Sequence, residues 1–197
     1  MFFALDGQLL GLISVADPVK ATSAEAIRQM KAAGIHTVLL TGDSQAAAQH
    51  IGSLVGVDEV IAQVLPEEKA GVIQKLQSQG RKVMMVGDGI NDAPALARAD
   101  VGVAIGAGTD VAIDSADVVL VKSDPEDIVR LLDLGTNTTR KIKQNLWWGA
   151  GYNIVAIPLA AGVLAPVGIL LSPAVGAVLM SLSTVIVAVN AMTLKNK

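Results

Sequence analysis

Between Gln144 and Leu194 no residue carries a formal charge, whereas charged residues are spread from Asp6 to Lys143. That break constrains the fold more than any other feature. Backbone polar groups surrounded by hydrocarbon must pair within the chain, which only helices and closed barrels achieve. The run exceeds one span of about twenty residues, and Gly162, Pro166, Gly168 and Pro173 divide it. Two membrane helices are therefore expected, over 145–164 and 173–193, joined by a short uncharged loop. Arg140, Lys141 and Lys143 precede the first and Lys195 and Lys197 follow the second, with no basic residue between. Both ends are thus expected on the cytoplasmic side, with 136–144 as a stalk, Trp147 and Trp148 at the interface and membrane lipid as a partner.

The charged part, 1–135, reads as an α/β domain. A hairpin around Asp6-Gly7 opens it. Apolar runs of strand length at 35–40, 60–64, 83–86, 101–105 and 118–121 then alternate with helical patterns, which implies a parallel sheet covered on both faces. Thr22 or Ser23 is expected to cap the first helix, and helices are expected over 126–134 and again from Thr136. The net charge of −3 and the lack of a basic face argue against nucleic acid as a partner. With no cysteine, disulfides and thiolate metal sites are excluded within these residues. Met-Phe-Phe-Ala-Leu at the start lacks the basic region and cleavage site of a secretion signal.

The stretch from Val83 to Leu96, ending in Gly-Asp-Gly-Ile-Asn-Asp-Ala-Pro-Ala-Leu, places Asp88 and Asp92 four residues apart where a buried strand stops. Gly87 and Gly89 loosen the backbone, and Asn91 or Asp92 can cap a helix that tolerates Pro94 in its first turn. Two hard oxygen donors beside exposed N–H groups at a strand's carboxyl end suit Mg²⁺ and a phosphoryl group. Gly-Asp alone is an ordinary turn; the whole decapeptide is much more specific. Thr41-Gly42-Asp43 follows a strand and precedes a helix, so its hydroxyl and N–H groups are expected in the same crevice, and Lys69 can reach a phosphate as a point charge. Taken singly these are an ordinary cap and a solvated lysine. His36 and His50 stand apart from any ligand pattern. Gly106-x-Gly108 lacks the third glycine and the lysine of a phosphate loop and reads as a turn ahead of a small helix at 109–115.

Polar groups in the apolar run are few, and hydrocarbon makes each costly without a partner. Asn145, Tyr152 and Asn153 mark the first helix; Met180, Ser181, Ser183, Thr184 and Asn190 mark the second. Met180 and Thr184 share a face at i and i+4, a thioether beside an oxygen donor, which suits a soft or borderline metal ion. The alternative is that the hydroxyls bond back to their own helix and Met180 packs.

Thr41-Gly-Asp43, Lys69 after Pro66-Glu-Glu, and the decapeptide at 87–96 resemble the phosphorylation domain of P-type ATPases, within the haloacid dehalogenase superfamily. Asn145-x6-Tyr152-Asn153-x4-Pro158 and Met180-Ser-Leu-Ser-Thr184 resemble the last two membrane helices of heavy-metal-transporting (type IB) pumps, in the form of the copper subgroup with a Cys-Pro-His entry motif. The resemblance implies a haloacid-dehalogenase-like sheet domain followed by a transmembrane hairpin, in an ATP-driven exporter of copper or silver in a bacterial or archaeal plasma membrane. ATP and Mg²⁺ are the implied cofactors. Asp88 would bind Mg²⁺ with Asp92 in support, Thr41 with Gly42 and Asp43, and Lys69, would hold phosphoryl oxygens, and Gly87, Gly89 and Asn91 would shape the loop. Tyr152, Asn153, Met180, Ser181 and Thr184 would line the ion path. The 197 residues contain no Asp-Lys-Thr-Gly-Thr, the segment bearing the phosphoryl-accepting aspartate, and no Cys-Pro-His. The chain therefore reads as a C-terminal fragment whose partners include the N-terminal parts of the same pump. The competing reading is a membrane-tethered α/β binding or assembly module without catalysis. The charge pattern predicts that a reporter fused after residue 193 is cytoplasmic and one inserted in the 165–172 loop is not; the reverse labelling by an impermeant reagent would refute this topology.

Overall fold

The computed structural model describes residues 2–13, 18–87, 90–106, 114–168 and 172–193. The chain divides into two compact units, Met1–Val129 and Arg130–Lys197. In the first, β1 (Phe2–Leu5) and β2 (Gln8–Leu12) pair antiparallel across Asp6 (φ 50°) and Gly7 (φ 79°), both in the left-handed region that a two-residue hairpin turn needs. The expected hairpin is present, with a register shift between Phe3 and Ala4.

Helix α1 (Ser23–Ala32) buries Ala26, but Thr22 makes no cap bond; its hydroxyl donates to Asp124 Oδ1 at 2.9 Å. Strand β3 (Val38–Leu40) leads to α2 (Gln45–Val55), capped by Ser44 and closed by Gly56 at φ 81°. Strand β4 (Glu59–Ile61) lies parallel to β3 and precedes α3 (Pro66–Ser78). Both strands are shorter than their apolar runs. β3 starts late because the Thr37 N–H and hydroxyl both donate to Asp58 Oδ2 at 2.9 Å. β4 stops early because Gln63 adopts φ 57° and the Val64 N–H turns to Thr41 O at 3.1 Å.

Strand β5 (Met84–Gly87), a 3-10 turn (Ile90–Asp92), α4 (Ala93–Arg98), β6 (Val101–Ile105) and β7 (Val118–Leu120) follow. β5, β6 and β7 are parallel, with Gly87 opposite Ala104 and Val103 opposite Val118. The parallel pairing is as expected, built as two ladders, β3-β4 and β5-β6-β7. Ile73 of α3, Met85 of β5 and Ala95 and Leu96 of α4 form the buried cluster, and Leu40 and Val83 pack against it. A Cβ on Gly102 would lie 2.6 Å from the Leu96 carbonyl oxygen, so glycine there is what lets β6 run against α4. The small helix expected at 109–115 and Gly108 fall largely or wholly outside the described residues.

Helix α5 (Pro125–Ala160) is unbroken over 36 residues. The two helices expected at 126–134 and from Thr136 are one, because Gly135 at a cost of about 1 kcal/mol does not outweigh helical neighbours on both sides. In the second unit α5 is followed by turns with left-handed Gly162 and Gly168, and by α6 (Pro173–Met192), capped by Ser172. Ala174–Met192 is, by length and composition, the one helix among the described residues apolar enough to cross a membrane. The apolar end of α5 is helical too, but shares its helix with the charged residues up to Lys143.

Asp100 ties the start of β5 to the end of α4. It accepts from Lys82 Nζ at 2.7 Å, the Val83 N–H at 3.0 Å and Gln77 Nε2 at 3.0 Å, and these, Lys82 foremost, hold its carboxyl well below the usual carboxylate range. A folded pKa below the unfolded one stabilises above the unfolded value, about 3.9, and the contribution is lost as pH falls from there through the folded value. Asp100→Asn should therefore lower the thermal midpoint at pH 7, with the gap to wild type constant down to about pH 4 and closing below it. A gap independent of pH between 2 and 7 would refute the assignment.

Candidate functional sites

Asp92 is buried, and it reaches across the end of β5 because position 87 has no side chain. A Cβ on Gly87 would sit 2.6 Å from Asp92 Oδ2 and 2.7 Å from its Cβ. The other oxygen, Oδ1, accepts from Lys69 Nζ at 2.6 Å, with the side chains 16% and 13% exposed for Lys69 and Asp92 respectively. Lys69 stands one helical turn ahead of Ile73 on α3, and Asp92 three residues ahead of Ala95, so the pair sits at the rim of the apolar cluster those residues build. Asp92 makes no side-chain cap bond to α4, contrary to the capping expectation, because Lys69 draws its carboxylate away. Asn91 is exposed. Asp88 and Gly89 lie outside the described residues.

Thr41 follows Leu40, which packs on the same cluster. Its N–H donates to Ile61 O at 3.0 Å, while its hydroxyl donates to Asp43 Oδ2 at 2.9 Å and accepts the Asp43 N–H at 3.1 Å. Gln63 N–H donates to Asp43 O at 3.0 Å, so the left-handed Gln63 clamps the Thr41–Asp43 loop from outside. Gly42 is exposed, with Val64 O 3.4 Å from where a Cβ would stand. Two features escaped sequence reasoning. The Lys69–Asp92 pair joins residues too far apart for any periodicity to relate, and the Gln63 clamp needs a conformation that glutamine rarely adopts.

In the second unit, Gly149, Tyr152 and Asn153 of α5 and Met180, Ser183, Thr184 and Val187 of α6 line an open groove of about 280 Å³. Four of the five expected ion-path residues meet there. Ser181 does not: Met180, Ser183, Thr184 and Val187 follow i, i+3, i+4, i+7 on one face, and Ser181 is rotated off it, its hydroxyl donating to Ala177 O at 3.0 Å. Ser183 takes its place. Ser183 and Thr184 both donate to Met180 O, at 2.8 and 3.1 Å, Asn153 Nδ2 donates to Gly149 O at 2.9 Å, and Tyr152 donates to Gly176 O at 3.2 Å. The hydroxyls thus bond back to the helices, and their lone pairs, the Asn153 carbonyl oxygen and the Met180 sulfur remain as donors to a cation.

Residues 2–100 match a family model described as haloacid dehalogenase-like hydrolase, and residues 70–132 match a second of the same description. The chain belongs to the haloacid dehalogenase-like hydrolases. The probable copper-transporting P-type ATPase B of Staphylococcus aureus is 57% identical over 192 residues, 98% of this chain and 29% of that protein. The copper-exporting P-type ATPase B of Archaeoglobus fulgidus is 54% identical over 195 residues, 99% of this chain and 28% of that protein. A crystal structure of a zinc-transporting PIB-type ATPase in its E2.Pi state superposes with a TM-score of 0.83 at 35% identity, covering 96% of this chain and 30% of that one. The catalytic domain of the CPx-ATPase CopB-B gives 0.51 at 36% identity, over 55% and 43% of the two chains. The chain is homologous to copper-transporting P-type ATPases over nearly all its residues and spans under a third of the length of those curated relatives.

Removing one member of a largely buried ion pair leaves the other charge uncompensated, at a cost of about 1–3 kcal/mol. Lys69→Ala and Asp92→Ala should each destabilise the chain by about that much, and the double variant by much less than their sum. Additive losses in chemical denaturation would show that the pair contributes nothing.

Proposed function

We propose that the chain supplies the Mg²⁺- and phosphate-handling part of the phosphorylation domain, and two membrane helices, of an ATP-driven copper exporter. The observation that carries this reading is the Lys69–Asp92 pair seated over Gly87 at the end of a parallel strand. An ammonium has three N–H donors; Lys69 gives one to Asp92 and has others for a phosphoryl oxygen. Asp92 offers a second oxygen, and with Asp88 next to Gly87 in sequence the donor set is hard carboxylate, which fits Mg²⁺. Bound there, Mg²⁺ would neutralise charge developing on the transferred phosphoryl group. The Gly42 N–H would orient the same group, joined by the Thr41 hydroxyl once it turns from the Asp43 carboxylate, while the Asp43 N–H holds the Thr41 oxygen in place. Rigid support matters because such transfer depends on position and charge, and the apolar cluster beneath Leu40, Ile73 and Met85 provides it.

The phosphoryl acceptor would come from elsewhere in the pump. Among the described residues β3 pairs only with β4, and β5 only with β6, so each has an edge on which a strand could add. On this reading 1–135 is phosphorylation domain, 136–144 stalk and 145–197 membrane hairpin, with the first part and both ends cytoplasmic. The groove favours copper or silver over zinc, because it holds a thioether, hydroxyls, an amide and a phenol but no thiolate, imidazole or carboxylate.

In a full-length pump carrying these residues, Asp88→Asn should abolish phosphoenzyme formed from ATP, and Lys69→Ala should reduce it. The 197 residues alone should form no acid-stable phosphoenzyme. Normal phosphoenzyme in Asp88→Asn would refute the site. Met180→Leu conserves volume and should weaken copper binding about tenfold or more; unchanged affinity would return the ion site to other helices.

A further inference from the structure

At one end of the groove the two helices are joined by a polar cluster that neither the phosphoryl site nor the ion site uses. Lys141 Nζ on α5 donates to Asn190 Oδ1 of α6 at 2.9 Å and to Oγ1 of Thr193, the C-cap of α6, at 2.8 Å. Asn190 Nδ2 returns to α5, donating to Asn145 Oδ1 at 2.8 Å and lying 3.5 Å from Gln144 Oε1. One amide therefore holds two residues of the facing helix, by its acceptor end and its donor end, and Lys141, Asn145 and Asn190 are all half-buried.

The cluster lies on the same seam as the groove. Lys141, Asn145, Gly149 and Asn153 succeed one another at four-residue steps along α5, and the last two line the groove. At the other end of the groove the Tyr152 hydroxyl holds Gly176 O. Met180, Ser183, Thr184 and Val187 thus lie between two polar attachments, at Gly176 and Asn190. The intervening contacts are mostly apolar or internal to one helix, and apolar contacts tolerate sliding. A slip of one residue would turn α6 by about 100° and carry Met180 off the groove. It would also strand the Asn190 amide against apolar side chains, and an unpaired amide there is penalised far more than a methyl group. A single polar residue in an apolar seam is an established way for helices to select one register.

We propose that Asn190 is a positioning residue for the ion groove: by bridging Lys141 and Asn145 it fixes the register of α6 on α5, and so sets Met180 and Thr184 opposite Tyr152 and Asn153 without touching the ion. The inference rests on the groove being the ion site. It is tested in a full-length pump carrying these residues, reconstituted in lipid, from the Cu(I) concentration that half-maximally stimulates ATP hydrolysis at equal amounts of inserted protein. Asn190→Leu should raise that concentration about tenfold or more, while the maximal rate is largely retained. Asn190→Asp should stay near wild type, since a carboxylate accepts from Lys141 and from a turned Asn145 amide. Lys141→Met should raise the concentration as well, and the Lys141→Met, Asn190→Leu double variant should be no worse than Asn190→Leu. An unchanged value in Asn190→Leu, an Asn190→Asp as impaired as Asn190→Leu, or additive losses in the double variant would each overturn the proposal. Met180→Leu separates the two levels. If it shifts the half-stimulating concentration and Asn190→Leu does not, only the positioning role fails; if it does not shift, the groove is not the ion site and both fail.

Discussion

A lysine ammonium and an aspartate carboxylate 2.6 Å apart, each largely withdrawn from solvent, set the requirements for the first unit. Neither charge could stay there alone, because removing an ion from water without a partner costs several kcal/mol even after relaxation. They arrive from different elements, α3 and the turn after β5, so those elements must be held in fixed relation, and the cluster of Ile73, Met85, Ala95 and Leu96 does this. Gly87 is the steric condition for the whole arrangement, since any side chain there would occupy the space of Asp92. The net stability from such a pair is small. Its value is positional: a carboxylate oxygen and spare ammonium hydrogens are presented at a strand end in a geometry the core does not let drift.

The second unit meets the opposite problem. Its helices satisfy their own backbones, and the Ser181, Ser183 and Thr184 hydroxyls turn back onto carbonyls, so the polar contacts between the helices fall to either side of them, at Gly176 and Asn190. What remains in the groove is neutral, one soft thioether among hydroxyls and an amide, whereas the strand-end site offers hard and charged donors. On the proposed reading the two sites would select different ions by donor chemistry. On the same reading register would matter in a neutral groove, because with no charge to draw the ion in, affinity would depend on several weak donors converging at once.

The glutamine at position 63 shows how loops carry strain that helices and strands do not. Its φ of 57° is compensated by hydrogen bonds from it and Val64 to the Thr41–Asp43 loop. That places a conformationally costly residue directly against a glycine-containing turn at a strand end, where precise backbone placement matters most.

Much of this was legible in the residues. The uncharged run from Gln144 read as helices and is carried mostly by α5 and α6, Asp6-Gly7 specified its turn through left-handed preference, and Val101 to Ile105 read as a strand and is one. Strand–loop–helix order placed Asp92 and Thr41 at strand ends, since those signals are local. What local signals could not decide was where side chains go when two candidates compete for them. Thr22 left its helix for Asp124, Asp92 left its helix for Lys69, and Ser183 rather than Ser181 faced the groove. Gly135 did not end a helix that its neighbours on both sides continued. In each case the outcome depended on a group brought near by the fold, or on a rotation fixed by a facing helix. Sequence spacing determines which residues share a face; only tertiary packing determines what that face meets, because the energies that choose among partners exist only once the partners are in contact.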